Sequence, residues 1–306
     1  MGTLTGFVVI GVGILVGYVA GRTGILGSSG AESLSWLTFF VLTPFLLFAV
    51  LSRADVDTLF SSLLAVSATV AAITIAVFAI VARLVWRRSA GESVIGALSA
   101  GQVNANQIGI PLSVYLLGSA AYPAPIVLFQ LLLLTPLSMV ILETASSERR
   151  SVRRALRRTA TNPIVLGALL GALVSISGIT LPAVIMDPVQ LIADAAVPML
   201  LIGYGASLPG RLVLAPGAHR RDVLLASMLK LVVMPLLAWV LAAFVFHLDR
   251  TEILAVVVLA ALPTAQNVFN FAQRYRVGEA ISRDTVFVTT LGCVPVLLLA
   301  TFLLHL

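Results

Sequence analysis

Most charged residues of this chain fall in short gaps between long apolar runs. Ten runs can be marked, at roughly 3–21, 34–52, 60–85, 93–117, 123–143, 162–179, 189–208, 222–247, 251–274 and 284–305. Each is long enough for a helix to cross about 30 Å of hydrocarbon. Only 10% of the residues are charged, against about 25% in soluble domains. A water-soluble domain of mean hydropathy +1.08 would aggregate. Aromatic residues make up 7%, so the apolar mass is Leu, Val, Ala and Ile. That suits lipid-facing helices rather than barrel strands, which alternate polar and apolar residues. The expected class is an all-α membrane protein with ten transmembrane helices and no soluble domain. The first run has no positive region before it, so it is expected to stay as a span and not to be cleaved as a signal peptide.

Positive charge next to transmembrane ends records topology. The net charge of +6 therefore does not point to nucleic acid. The loops after runs 1, 3, 5, 7 and 9 hold sixteen of the nineteen basic residues. Arg53 and Arg250 lie on the other side, and Lys230 lies within a run. The odd-numbered loops are thus predicted to be cytoplasmic, with both termini outside and the protein in the inner (plasma) membrane. The basic stretch SSERRSVRRALRR ends a first set of five helices. Residues 1–148 form one repeat, 149–161 the basic loop and 162–306 a second repeat. An odd number of helices per set inverts the second relative to the first. The basic loop is an orientation signal or, alternatively, an amphipathic helix on anionic lipid.

Two runs are interrupted, and they occupy the same place in each set. The first reads AGQVNANQIGIPL, Ala100 to Leu112, and the second ALPTAQNVFNFAQ, Ala261 to Gln273. Backbone groups in hydrocarbon must be hydrogen-bonded internally, so a break persists only against protein or a watery cavity. Paired broken helices in two halves point to the substrate site of a carrier. Gln102, Asn104, Asn106 and Gln107 supply amides to the first break, where Pro111 removes a backbone donor. Pro263, Thr264, Gln266, Asn267 and Asn270 supply the second, and Asn267 and Asn270 share a helix face. Gln130 and Thr135, in run 5, are placed to face the site. The resuming half-helices direct unpaired N–H groups and partial positive charge into the break, which suits a carboxylate. No Asp or Glu lies near either break, which favours an anionic or neutral substrate over the buried carboxylate of a cation antiporter.

Two ionisable residues lie within runs. Asp194 is either a coupling or cavity-lining group or a polar residue near the outer face. Lys230 either snorkels to the cytoplasmic interface or attracts the anion. The glycine run of the first helix (Gly6, Gly11, Gly13, Gly17, Gly21) is explained by close helix packing. His219, His247 and His305 have no ligand spacing, Cys293 is the only cysteine, and no HExxH or GxSxG motif occurs. No metal, cofactor or enzymatic activity is expected.

The chain resembles bacterial members of the auxin efflux carrier family over essentially its whole length. The resemblance is carried by GVGILVGYVAGRTGIL, LTPFLLFAVLS, NANQIGIPL and VPMLLIGYGASL, and most specifically by LPTAQNVFNFAQRY from Leu262 to Tyr275. It implies two inverted five-helix repeats with helices 4 and 9 crossing at the substrate. It also implies a scaffold of helices 1, 2, 6 and 7, often dimeric, and a transport domain of helices 3–5 and 8–10 that moves as an elevator. Bile-acid sodium symporters share the general fold. The family's substrates are organic anions, auxin in plants and dicarboxylates in bacteria. Asn104 and Pro111 match the first crossover, Pro263 and Asn267 the second. Asn106 stands where bacterial relatives often have Gly and adds an amide. The expected function is a secondary carrier of a small organic anion; the alternatives are a sodium-coupled symporter of the same fold and a membrane sensor that binds without transporting. The expected partners are that anion, the lipid bilayer and a second copy of the chain.

Overall fold

The computed structural model describes residues 2–27, 29–53, 62–145, 161–206 and 219–305. The six arginines from Arg149 to Arg158, and with them most of the 149–161 loop, lie outside the described residues, as do Ser207 and Arg211. The described residues are helical apart from turns and one isolated bridge. Five helices are long and apolar enough to cross a membrane: Ser62–Val85 (α3), Ala124–Leu142 (α6), Ala183–Ala206 (α8), Arg220–Val245 (α9) and Glu279–Leu304, the body of α12, Glu279–His305. Gly2–Arg22 (α1) and Pro163–Ser177 (α7) are further helices. So is α2, which runs from Gly30–Leu37 through a π-helical turn, Thr38–Leu42, into Thr43–Leu51. Two helices are interrupted. Ala90–Gly101 (α4) is followed by Ile110–Leu116 (α5), and Arg250–Ala260 (α10) by Gln266–Tyr275 (α11). Large apolar side chains lie exposed along these helices, among them Leu84, Val184, Leu191 and Phe302, as lipid-facing helices require.

The chain forms two compact units, residues 1–61, 106–128 and 157–211 in one, and 62–105, 129–156 and 212–306 in the other. In the first, glycines let helices touch backbone to backbone. Gly13, Gly17 and Gly21 line one face of α1 and meet Leu201, Ile202 and Ala206 of α8. A Cβ at Gly17 would strike the Ile202 carbonyl, and one at Gly205 that of Ile14. Gly167 and Gly171 of α7 do the same against Pro44 and Phe48 of α2. In lipid, where burial supplies no driving force between helices, such close van der Waals contact holds them together.

The second unit holds α3, α4, most of α6 and α9 to α12. One core cluster joins Phe78 and Ala82 of α3, Ala97 and Ala100 of α4, and Ala226 and Leu229 of α9. Another joins Ile95 and Leu98 of α4, Leu142 of α6, and Ala265, Val268 and Ala272 around α11. Arg88, just before α4, makes two hydrogen bonds to the buried Asp222 in the first turn of α9, at 3.1 and 2.6 Å. That hydrogen bonding raises the guanidinium above its ordinary range, against the opposing effect of burial.

Within this unit one piece of local structure occurs twice. α3 ends in a π-helical turn, Val81–Val85, and α9 in another, Leu241–Val245. Each is followed by a residue with left-handed backbone, Arg87 (φ 54°) and His247 (φ 50°). The next N–H returns to the helix, Arg88 to the Ala82 carbonyl (2.8 Å) and Leu248 to the Ala242 carbonyl (2.9 Å). A capping box then starts each broken helix, Ser89 with Glu92 for α4 and Asp249 with Glu252 for α10. Both boxes are legible in the sequence as SAGE and DRTE, the pattern of a reciprocal N-terminal cap.

Candidate functional site

α4 stops at Gly101 and α10 at Ala260, and the chain beyond each becomes extended. There the two breaks meet. Val103 and Thr264 form an isolated antiparallel bridge. The Asn104 N–H donates to the Pro263 carbonyl at 2.8 Å, and the Ala265 N–H to the Gln102 carbonyl at 3.1 Å. Exchanging Val103 with Thr264 turns one of these hydrogen bonds into the other.

The two bridge residues have N–H groups of their own to satisfy. Gln130, in the π-helical turn of α6, accepts from the Val103 N–H through Oε1 at 2.9 Å. Thr289 of α12 accepts from the Thr264 N–H through Oγ1 at 3.1 Å. The Thr264 hydroxyl donates to the Ser99 carbonyl at 2.6 Å, closing the last turn of α4. Unpaired buried N–H and C=O groups are costly, so the breaks survive because every one of these backbone groups has a partner. Pro263 fits because it gives only its carbonyl to the pair.

Polar atoms are left over once the backbone is satisfied. Gln102 is 2% exposed and its Oε1 has no partner. Gln266 Oε1 and Asn267 Oδ1, in the first turn of α11, are likewise buried without partners. A carboxamide turns end for end at little cost, so each can offer N–H or oxygen. α11 has Ala265 as its N-cap and no side-chain cap, so the N–H groups of Gln266 and Asn267 are left at its start with their partial positive charge. None of residues 99–106 or 261–270 is ionisable. The arrangement is an uncharged, buried set of carboxamides at an uncapped helix start, able to bind a small anion by hydrogen bonding alone.

A family model described as membrane transport protein matches residues 5–301. The chain belongs to this family. It is the family that includes the auxin efflux carriers, and the protein is a multi-pass membrane transport protein. A Rhizobium meliloti protein named "Putative malonate transporter" is 26% identical over 302 residues, covering 95% of this chain and 92% of that protein. The Escherichia coli "Uncharacterized transporter YfdV" is 23% identical over 296 residues, covering 92% and 91%. A Methanothermobacter thermautotrophicus "Uncharacterized transporter" is 27% identical over 231 residues, covering 74% and 73%.

Of the residues singled out in the family member's sequence, the crossing brings together Asn104, Gln130 and Pro263, with Gln266 and Asn267 next along the chain. Asn104 is 4% exposed. Asn106 and Gln107 lie in the π-helical turn Ala105–Gly109. Asn106 Oδ1 is buried without a partner. Pro111 is not at the break. It lies in the first turn of α5, where a missing N–H is harmless. Asn270 is exposed, although Asn267 three residues before it is half-buried. Asp194 is exposed at the end of the first segment of α8, where Gln190 donates to it at 2.7 Å and Arg53 donates to Gln190 at 3.2 Å. Lys230 does not snorkel; it is fully buried and reaches no interface. Thr289 and Ser99 were not anticipated. Thr289 could have been found by symmetry, since it follows Thr264 by 25 residues as Gln130 follows Val103 by 27.

Proposed function

We propose that the protein is a secondary carrier of a small organic anion, a carboxylate, held at the crossing of the two broken helices. The observation that carries this reading is the set of buried carboxamide oxygens of Gln102, Gln266 and Asn267, left without partners beside the uncapped start of α11. Membership of a membrane transport family and similarity to a protein named for malonate transport support it. The duplicated π turn, left-handed residue and capping box, and the exchangeable hydrogen bonds at the bridge, support a pair of inverted repeats. The grouping of the crossing segments with α3, α9 and α12 in one compact unit supports an elevator in which that unit moves. On this reading ten helices span the inner membrane with both termini outside, and two copies associate through helices 1, 2, 6 and 7.

Uptake of labelled malonate into proteoliposomes tests the reading. Saturable uptake is expected in the wild type, and its absence for malonate and for a panel of mono- and dicarboxylates would refute it. One observation favours sodium coupling as a second reading: as placed, the three unpartnered atoms are oxygens, the ligand type a hard cation takes. Uptake that requires external sodium would establish that variant, and equal uptake in potassium would remove it.

A further inference from the structure

Lys230 is the only lysine in the chain; every other one of the 19 Lys and Arg residues is arginine. It is also completely buried, within the π-helical turn Leu229–Val233 of α9. Its amine lies 2.9 Å from the Met234 thioether. Among the described residues no carboxylate forms an ion pair with it, and the Cys293 thiol of α12 lies near it. A buried ammonium costs several kcal/mol to desolvate and is normally found paired. A thioether and a thiol supply no counter-charge. Charged residues inside membrane helices mark functional sites by default, and π turns are frequent there.

The π-helical turn that carries Lys230 packs against α4 and α12, the two helices that frame the crossing. Ala226 and Leu229 pack with Ala97 and Ala100 of α4, just before Gln102. On α12, Cys293 lies one turn beyond Thr289, the residue that holds the Thr264 N–H. Gly292 leaves the room that the Leu231 side chain fills, which seats the α9 turn against α12. One turn before Lys230, the Ser227 hydroxyl is buried without a partner, as is Gln102 Oε1. A compact ammonium suits such a place better than a guanidinium, whose five donors would need partners.

The charge count then limits the substrate. Amides and a helix start can hold one carboxylate with no basic side chain, so the amine remains uncompensated. We propose that Lys230 is a specificity-determining residue that receives a second carboxylate, so that the site selects dicarboxylates. One carboxylate rests on the crossing amides and the other on the amine. This inference rests on the carrier reading above. Because the amine is covered here, the second carboxylate reaches it only as α9 parts from its neighbours. Binding of the dianion is thereby tied to the conformational change.

The test titrates purified protein at neutral pH with malonate and with its monoamide, malonamate, which keeps one carboxylate. The wild type should bind malonate at least tenfold more tightly. Lys230→Met and Lys230→Gln should bind both probes with the wild-type affinity for malonamate. Both variants should melt at or above the wild-type temperature, since an unpaired buried amine has been removed. Equal wild-type affinities for the two probes overturn the proposal without reference to any variant. A malonate preference that survives in either variant overturns it too. A wild type that binds neither probe overturns the proposal, and the carrier reading with it only if the panel of mono- and dicarboxylates is not taken up either; binding without preference overturns the role of Lys230 alone.

Discussion

At the crossing, a carboxamide catches Val103 and a hydroxyl catches Thr264. The backbone frame is the same in both halves: two extended residues, one shared bridge and an N–H held from the next long helix. The side chains are not the same. Asn104 occupies the position that Ala265 has in the second half, and Ala105 that of Gln266. Beyond the bridge, as far as Leu112 and Gln273, only Asn106 and Asn267, each three residues past its bridge residue, are identical. The first half resumes through a π-helical turn and the second directly as an α-helix. A duplicated frame thus carries unlike chemistry. Backbone symmetry satisfies the break in hydrocarbon, and side-chain asymmetry gives its two halves different hydrogen-bonding groups.

The largest effects should come from removing amides at the crossing. Asn267→Ala and Asn104→Ala are each expected to lower carboxylate uptake by roughly 10- to 100-fold, since a hydrogen bond to a charged group contributes about 1.5–3 kcal/mol. Melting temperatures in detergent should change by only a few degrees. Full uptake in both variants would detach the chemistry from the crossing. A loss in one alone would show which half holds the substrate.

The frame itself is tested by Gln130→Leu and Thr289→Val. Each leaves one bridge N–H buried without an acceptor, at a cost of about 1–3 kcal/mol. Similar losses in thermal or denaturant stability are expected if the two halves are mechanical equivalents. Because both N–H groups belong to one pair of residues, the double variant should lose less than the sum. Strict additivity would mean that the two catches act independently and that the bridge is not a single unit.

Much of this was legible before any coordinates. Prolines and amides inside apolar runs mark where backbone hydrogen bonding must fail, so Asn104, Pro263 and Asn267 stand out. The glycine spacing of α1 likewise announced a close helix contact, which Gly13, Gly17 and Gly21 make. Pro111 misled because proline signals a break and a helix start equally well, and here it serves the start. Thr289 was invisible because a threonine in a membrane helix usually bonds its own helix, and Thr289 also does that, donating to the Thr285 carbonyl at 2.7 Å. Its second role depends on which helix lies opposite, which local pattern does not encode. Of the two readings of Lys230, snorkelling fails for a related reason. Snorkelling is a matter of reach to an interface, and the packing of α4 and α12 around α9 closes that route.

The capping boxes carry the comparison to its smallest expected effects. Ser89→Ala and Asp249→Ala should each cost about 1 kcal/mol of stability. The two boxes differ in their surroundings, because Glu92 also faces His219, 3.9 Å away, while Arg88 lies nearby. Burial pushes the Glu92 carboxyl up, and hydrogen bonds from the Ser89 hydroxyl and N–H oppose it. With the charges of His219 and Arg88, they hold the carboxyl below its ordinary value of 4.5. A carboxyl depressed in the folded state contributes stability that is present above that ordinary value and lost as pH falls through it. Wild-type melting temperature should therefore decline more steeply below about pH 4.5 than that of Glu92→Gln. Ser89→Ala should flatten the same limb, because it removes the largest of the contributions that lower the carboxyl. If both variants kept the wild-type slope, the acid limb would not belong to Glu92, and the first box would be no more than a helix cap.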